Sequence, residues 1–185
     1  MLIFREQDAI LKKIVGERMK RRMPKNKLFS VGVIVTALVL VGVGGYVAKT
    51  KTAPKPAKIP QVVSSQLLFT PFVPTKLPAD YSVDVESFRK QETALLFSAV
   101  NSQGERLLFS EQSVPKSFDV SGFYASSLTK PSRIDSLKYQ GVYGTLSDQK
   151  KHLAGITIDD TWVLVIGSLT KSDATELANS LVPQK

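Results

Sequence analysis

Residues 152–167 read HLAGITIDDTWVLVIG, and the parsing of this stretch decides the fold. Asp159-Asp160 separates two runs rich in Ile, Val, Leu and Trp, the pattern of a tight hairpin. If the loop has two residues, Thr157 faces Trp162 and Gly155 faces Leu164. The second arm, Trp162-Val163-Leu164-Val165-Ile166, is apolar at every position, so neither of its faces can be left to water. A strand of that kind belongs at the centre of a sheet, partly covered by a helix.

The cover follows directly in the chain. Ser172 suits an N-cap, and Ala174, Leu177, Ala178 and Leu181 make an apolar stripe on a last helix that Pro183 stops. Working back from the hairpin, strands are expected near 81–89, 93–100, 105–112, 134–139 and 142–147, ahead of 152–158 and 161–167. Tyr81, Val83 and Val85 alternate with Ser82, Asp84 and Glu86, the mark of a strand with one wet face. Asn101-Ser102-Gln103-Gly104 is a four-residue hairpin turn. Residues 117–128 form either a short helix capped by Ser117 or Asp119, or a loop. Pro71, Pro74 and Pro78 make 70–83 an extended strap, with Phe72, Val73 and Leu77 available to the core. The expected class of 70–185 is α+β, an antiparallel sheet packed by a C-terminal helix.

Further upstream the character changes. Leu28–Ala48, LFSVGVIVTALVLVGVGGYVA, has no charge, and Lys27 and Lys49 close it. A bilayer core takes roughly 20 helical residues, so the run is the length of one transmembrane helix. Gly32/Thr36 and Gly44/Ala48 are small-residue pairs through which two such helices can meet as a homodimer, though a lipid-facing anchor is the simpler reading. Between span and domain, 49–69 is a Pro- and Lys-rich linker, read as a spacer whose lysines can instead cling to lipid headgroups. The basic arm 1–27 holds Ile10, Leu11, Ile14, Val15 and Met19 at helical spacing. It reads as an arm on the cytoplasmic leaflet or as a docking helix for a cytoplasmic partner.

Charge divides the same way. Residues 1–27 carry nine Lys/Arg and three acids, 49–69 carry four Lys and no acid, and 70–185 carry twelve bases and thirteen acids. The formal +9 therefore sits at the membrane flanks, and the near-neutral remainder argues against a nucleic-acid partner. The heavier basic flank keeps the N-terminus in the cytoplasm and sends the C-terminal domain outside, an uncleaved signal-anchor arrangement in the cell membrane.

Chemistry is sparse. The chain has no Cys and one His, which excludes disulfides, thiolate metal sites and a multi-His metal site. His152 follows Lys150-Lys151 and reads as a solvated surface residue rather than the base of a Ser/His/Asp set. Asp159-Asp160 supplies too few converging oxygens for a cation. Trp162, Phe97, Phe109 and Tyr143 are expected in the core. No residue is nominated as catalytic, cofactor-binding or metal-ligating, no cofactor is expected, and the chain is expected not to be an enzyme.

Pro74-x-x-Leu77-Pro78-x-x-Tyr81, Gly141-Val142-Tyr143-Gly144, Trp162-x-Leu164 with Gly167-x-Leu169, and the Glu176-Leu177-Ala178-x-Ser180-Leu181 helix form a set. Together they resemble a poorly characterised bacterial extracytoplasmic domain family tethered behind one membrane helix. That resemblance implies a sheet-and-helix domain like the outer halves of some anti-sigma regulators, distantly similar to lipoprotein carriers. Members often carry a Trp on the penultimate strand, where this chain has none. The expectation is a single-pass envelope protein with a small binding or sensing domain. Its partners would be the bilayer and either another envelope protein or a small apolar ligand. The alternatives are a structural subunit of an envelope assembly and an apolar-ligand carrier.

Overall fold

The computed structural model describes residues 57–147 and 151–184. The arm 1–27, the uncharged run 28–48 and the first part of the linker lie outside these residues. Among the described residues no helix is long and apolar enough to cross a membrane.

The chain order is α1 (Gln61–Ser64), β1 (Phe72–Pro74), β2 (Ser82–Gln91), β3 (Ala94–Val100), β4 (Arg106–Ser113), α2 (Val120–Ser127), β5 (Leu128–Ile134), β6 (Gln140–Leu146), β7 (His152–Ile158), β8 (Thr161–Gly167), α3 (Lys171–Ser180) and β9 (Leu181–Pro183). Seven strands form one antiparallel sheet in the order β2-β3-β4-β8-β7-β6-β5. Two meanders, β2–β4 and β5–β8, therefore join where β4 pairs with β8. β8 is the middle strand, and all of its residues are buried.

The hairpin that opens the sequence argument has the expected register, with Thr157 opposite Trp162 and Gly155 opposite Leu164. Asp159 takes φ 51°, a left-handed conformation that Asp tolerates better than most residues. The β3–β4 turn also holds. Asn101 Oδ1 accepts from the N–H groups of Gln103 and Glu105 at 3.0 and 2.8 Å, and Gly104 supplies φ 80°.

Period-2 alternation sorts the sheet into two faces. One face gathers Phe97, Phe109, Ala154, Ile156, Val163 and Val165 against Ala174, Leu177 and Ala178 of α3. The Phe97 and Phe109 rings stack at 4.4 Å, and Phe88 leans on Phe97 at 4.8 Å. The opposite face carries Trp162 and Leu164, and α2 crosses it on the way from β4 to the far edge. β8 is thus apolar throughout because each face has its own helix.

Two local expectations need correction, and one left open is decided. The strand expected at 134–139 is Leu128–Ile134. Residues past Ile134 turn because Ser136 Oγ accepts from the N–H groups of Lys138 and Tyr139, each at 3.2 Å, and donates to Asn179 on α3. β5 absorbs Pro131 through a register shift and a left-handed Lys130, devices suited to an edge strand. The last helix is capped by Thr170 rather than Ser172: Thr170 Oγ1 accepts from Asp173 N–H, and Asp173 Oδ2 accepts from Thr170 N–H. Of the two readings for 117–128, the helix holds, with Asp119 as its cap. The strands β1 and β9 pair as a separate ribbon, Phe72 opposite Pro183, which joins the strap to the chain leaving α3.

The packed part also reaches upstream of Thr70. Ala57 and Ile59 are buried in the core, and Val63, Leu67 and Phe69 pack against it, although all five fall in the stretch expected to be a spacer.

Candidate functional site

The β3–β4 turn and the chain leaving β8 meet at one end of the sheet. Between them lies an open cleft of about 320 Å³, with Glu105, Arg106, Leu108, Lys151 and Ser168 on its walls. Arg106 is oriented from the sheet side: its guanidinium donates to Ser98 Oγ at 3.1 Å and lies 3.7 Å from Asp84. Glu105 accepts from Asn101 Nδ2 at 2.9 Å and from the Tyr81 hydroxyl at 3.3 Å. Burial, with the Glu105 charge and hydrogen bond behind it, pushes that hydroxyl up to about 12, so it stays a donor at neutral pH. The cleft therefore offers two cations beside a carboxylate that already has neutral partners. Its size suits a side chain or a small polar ligand rather than a lipid.

His152 is half-buried, which corrects the expectation of a solvated residue. It opens β7 opposite Gly167 and Thr145, and its ring stacks on Tyr143 at 5.3 Å. Tyr143 donates to the Leu169 carbonyl at 2.7 Å, and burial, then the Asp173 charge, raise its pKa. His152 Nδ1 is buried without a partner, so no carboxylate orients the ring through that atom. Asp159 and Asp160 are exposed turn residues, and Lys151, also exposed, stands on the cleft wall. Lys150 lies outside the described residues. Among the described residues no three His, Cys, Asp or Glu side chains gather as metal ligands. Trp162, Phe97 and Phe109 are fully buried, as expected of core residues, while Tyr143 is only partly so.

Two buried polar arrangements escaped the sequence argument. Glu111 shares the α3 face with Leu107 and Phe109 and is wholly buried. Its Oε2 accepts from the Phe72 N–H at 2.8 Å, and its Oε1 has no partner. Burial pushes this carboxyl up to about 8, against the lowering effect of the Phe72 hydrogen bond, so the side chain is mainly neutral at pH 7. Once the strand is set at 106–113, parity alone puts Glu111 with Leu107 and Phe109, and that was the available signal. The second arrangement is on the α2 face, where Trp162 Nε1 donates to the Tyr124 hydroxyl at 2.6 Å. The Tyr124 ring fits over Gly155, where any Cβ would collide with the hydroxyl.

Set against protein-family models, curated proteins and solved structures, the chain matches none.

Proposed function

We propose that the chain is a single-pass membrane protein of a bacterial envelope. Its N-terminus is cytoplasmic, and its C-terminal α+β domain works outside the membrane as a non-catalytic binding or sensing module, open to a regulatory role. The observation that carries this is the 21-residue uncharged run Leu28–Ala48, with its heavier basic flank on the N-terminal side. The net charge of −1 over 70–185 supports the same reading, since that domain lacks the excess of positive charge typical of a nucleic-acid binder. The strand-end cleft with Arg106 and Lys151 supports recognition of a polar or acidic group on a partner. The likeness to tethered extracytoplasmic domains belongs to this proposal as well.

The envelope-assembly reading calls for a contiguous apolar patch, and Val85 and Leu137, exposed singly, do not by themselves make one. The carrier reading is less favoured, because Phe97, Phe109 and Leu177 occupy the space between sheet and α3 where a lipid would lie.

Alkaline carbonate washing of membranes tests the anchor: the full-length chain should stay in the pellet, and its release would overturn the reading. Protease added to intact cells should remove the C-terminal domain, whereas complete protection would overturn the orientation.

A further inference from the structure

The structure shortens the tether. Because Ala57 and Ile59 are each only 9% exposed and belong to the core, no more than the eight residues Lys49–Pro56 separate Ala48 from the packed domain. Eight residues span less than about 30 Å even when fully extended. If the run 28–48 crosses the bilayer, as proposed above, residues 57–69 are the part of the domain held nearest to lipid.

That segment has the surface such a position requires. Its backbone is fixed by hydrogen bonds from Val63 N–H and Ser64 N–H to the Pro60 carbonyl, and from Leu67 N–H to the Ser64 carbonyl. Val63, Leu67 and Phe69 point into the domain. Val62 and Leu68 point away from it, 75% and 97% exposed, and they are two of the four large hydrophobic side chains so exposed among the described residues. Lys49, Lys51, Lys55 and Lys58 provide positive charge with no acid between 49 and 69. Exposed apolar side chains on a segment that follows a lysine-rich, acid-free stretch of sequence match an anionic lipid surface.

We infer that residues 57–69 dock the domain onto the membrane surface, with Val62 and Leu68 entering the headgroup boundary and Lys58 meeting anionic lipid. The domain then rests on the bilayer instead of standing off at the end of a spacer. This inference rests on the membrane-anchored reading.

The test uses the full-length chain in phosphatidylglycerol/phosphatidylethanolamine vesicles with brominated acyl chains, which quench tryptophan at the headgroup boundary. Leu68→Trp adds a reporter in the segment. Leu137→Trp adds one in the β5–β6 loop at an equally open position, 96% exposed. The buried Trp162 is common to both. Emission added by Leu68→Trp should be quenched about threefold more than that added by Leu137→Trp, as expected for a side chain seated ~5–10 Å deep. The difference should shrink when phosphatidylcholine replaces phosphatidylglycerol.

Equal, weak quenching at both positions, with the chain still resistant to carbonate, would overturn the docking and leave the anchor standing. Strong quenching at both would also overturn it, because the contact would not belong to this segment. Release of the chain by carbonate would overturn the anchor and the docking together.

Discussion

The two faces of the sheet are closed by different chemistry. The α3 face is sealed by aliphatic side chains and stacked phenylalanines, and among the described residues its one fully buried carboxyl is Glu111, whose single hydrogen bond goes to the strap at Phe72. The α2 face is sealed by rings: Phe118, Phe123 and Tyr124 surround Trp162 with centroids 5.1 to 5.9 Å away. Its buried polar residues, Ser98, Ser110 and Gln112, are neutral. Tyr124 joins them as a neutral group because burial pushes its hydroxyl up to about 12. One face therefore buries a carboxyl that takes up a proton near neutral pH, whereas the buried polar groups named on the other are neutral. The difference arises because Glu111 must serve a distant segment of chain, while the α2 face satisfies its Trp–Tyr pair internally.

The largest test of this contrast is pH. The Glu111 carboxyl loses its proton near 4.5 when unfolded but only near 8 when folded, so the folded state holds the extra proton between these values. Stability from this group is complete below about 4.5 and is lost as pH rises through about 8, a change on the order of 5 kcal/mol. Urea unfolding, followed by the fluorescence of the single tryptophan, should show a falling midpoint from about pH 5 to about pH 9. Glu111→Gln should flatten that slope, and an unchanged slope would assign the dependence to another group.

Next in size, Trp162→Ala should cost about 4 kcal/mol, since it empties the middle of the ring cluster. Circular dichroism would measure the loss. A cost below about 1 kcal/mol would mean that α2 merely lies over the sheet.

The smallest effect sharpens the comparison. Tyr124→Phe removes the acceptor for the Trp162 N–H and should cost about 1–2 kcal/mol. That cost should be the same at acid and alkaline pH, in contrast to the effect of Glu111→Gln.

What could be read from sequence follows from how local each cause is. The 152–167 hairpin was legible because two adjacent aspartates and two apolar arms specify their own pairing. The Asn101–Gly104 turn was legible for the same reason. The 128–139 region was not, because Pro131 disguises an edge strand and Ser136 makes its turn partly by binding Asn179, 43 residues away. The β1–β9 ribbon likewise depends on a partner from the other end of the domain. The cleft depends on Lys151 and Arg106 being brought together by pairing across β4, β8 and β7, which no spacing in the chain announces. The need for cover on both faces of β8 was clear from its composition. That α2 would supply the second cover was not, since the helix is short and poor in helix-forming residues.

The ribbon of β1 and β9 has a practical consequence. Gln184 N–H donates to the Pro71 carbonyl at 2.9 Å, so the strap and the chain leaving β9 lie side by side. By the same geometry, a fluorescent protein appended at the carboxyl end starts out beside the incoming strap, and its position is then a measure of where that strap lies.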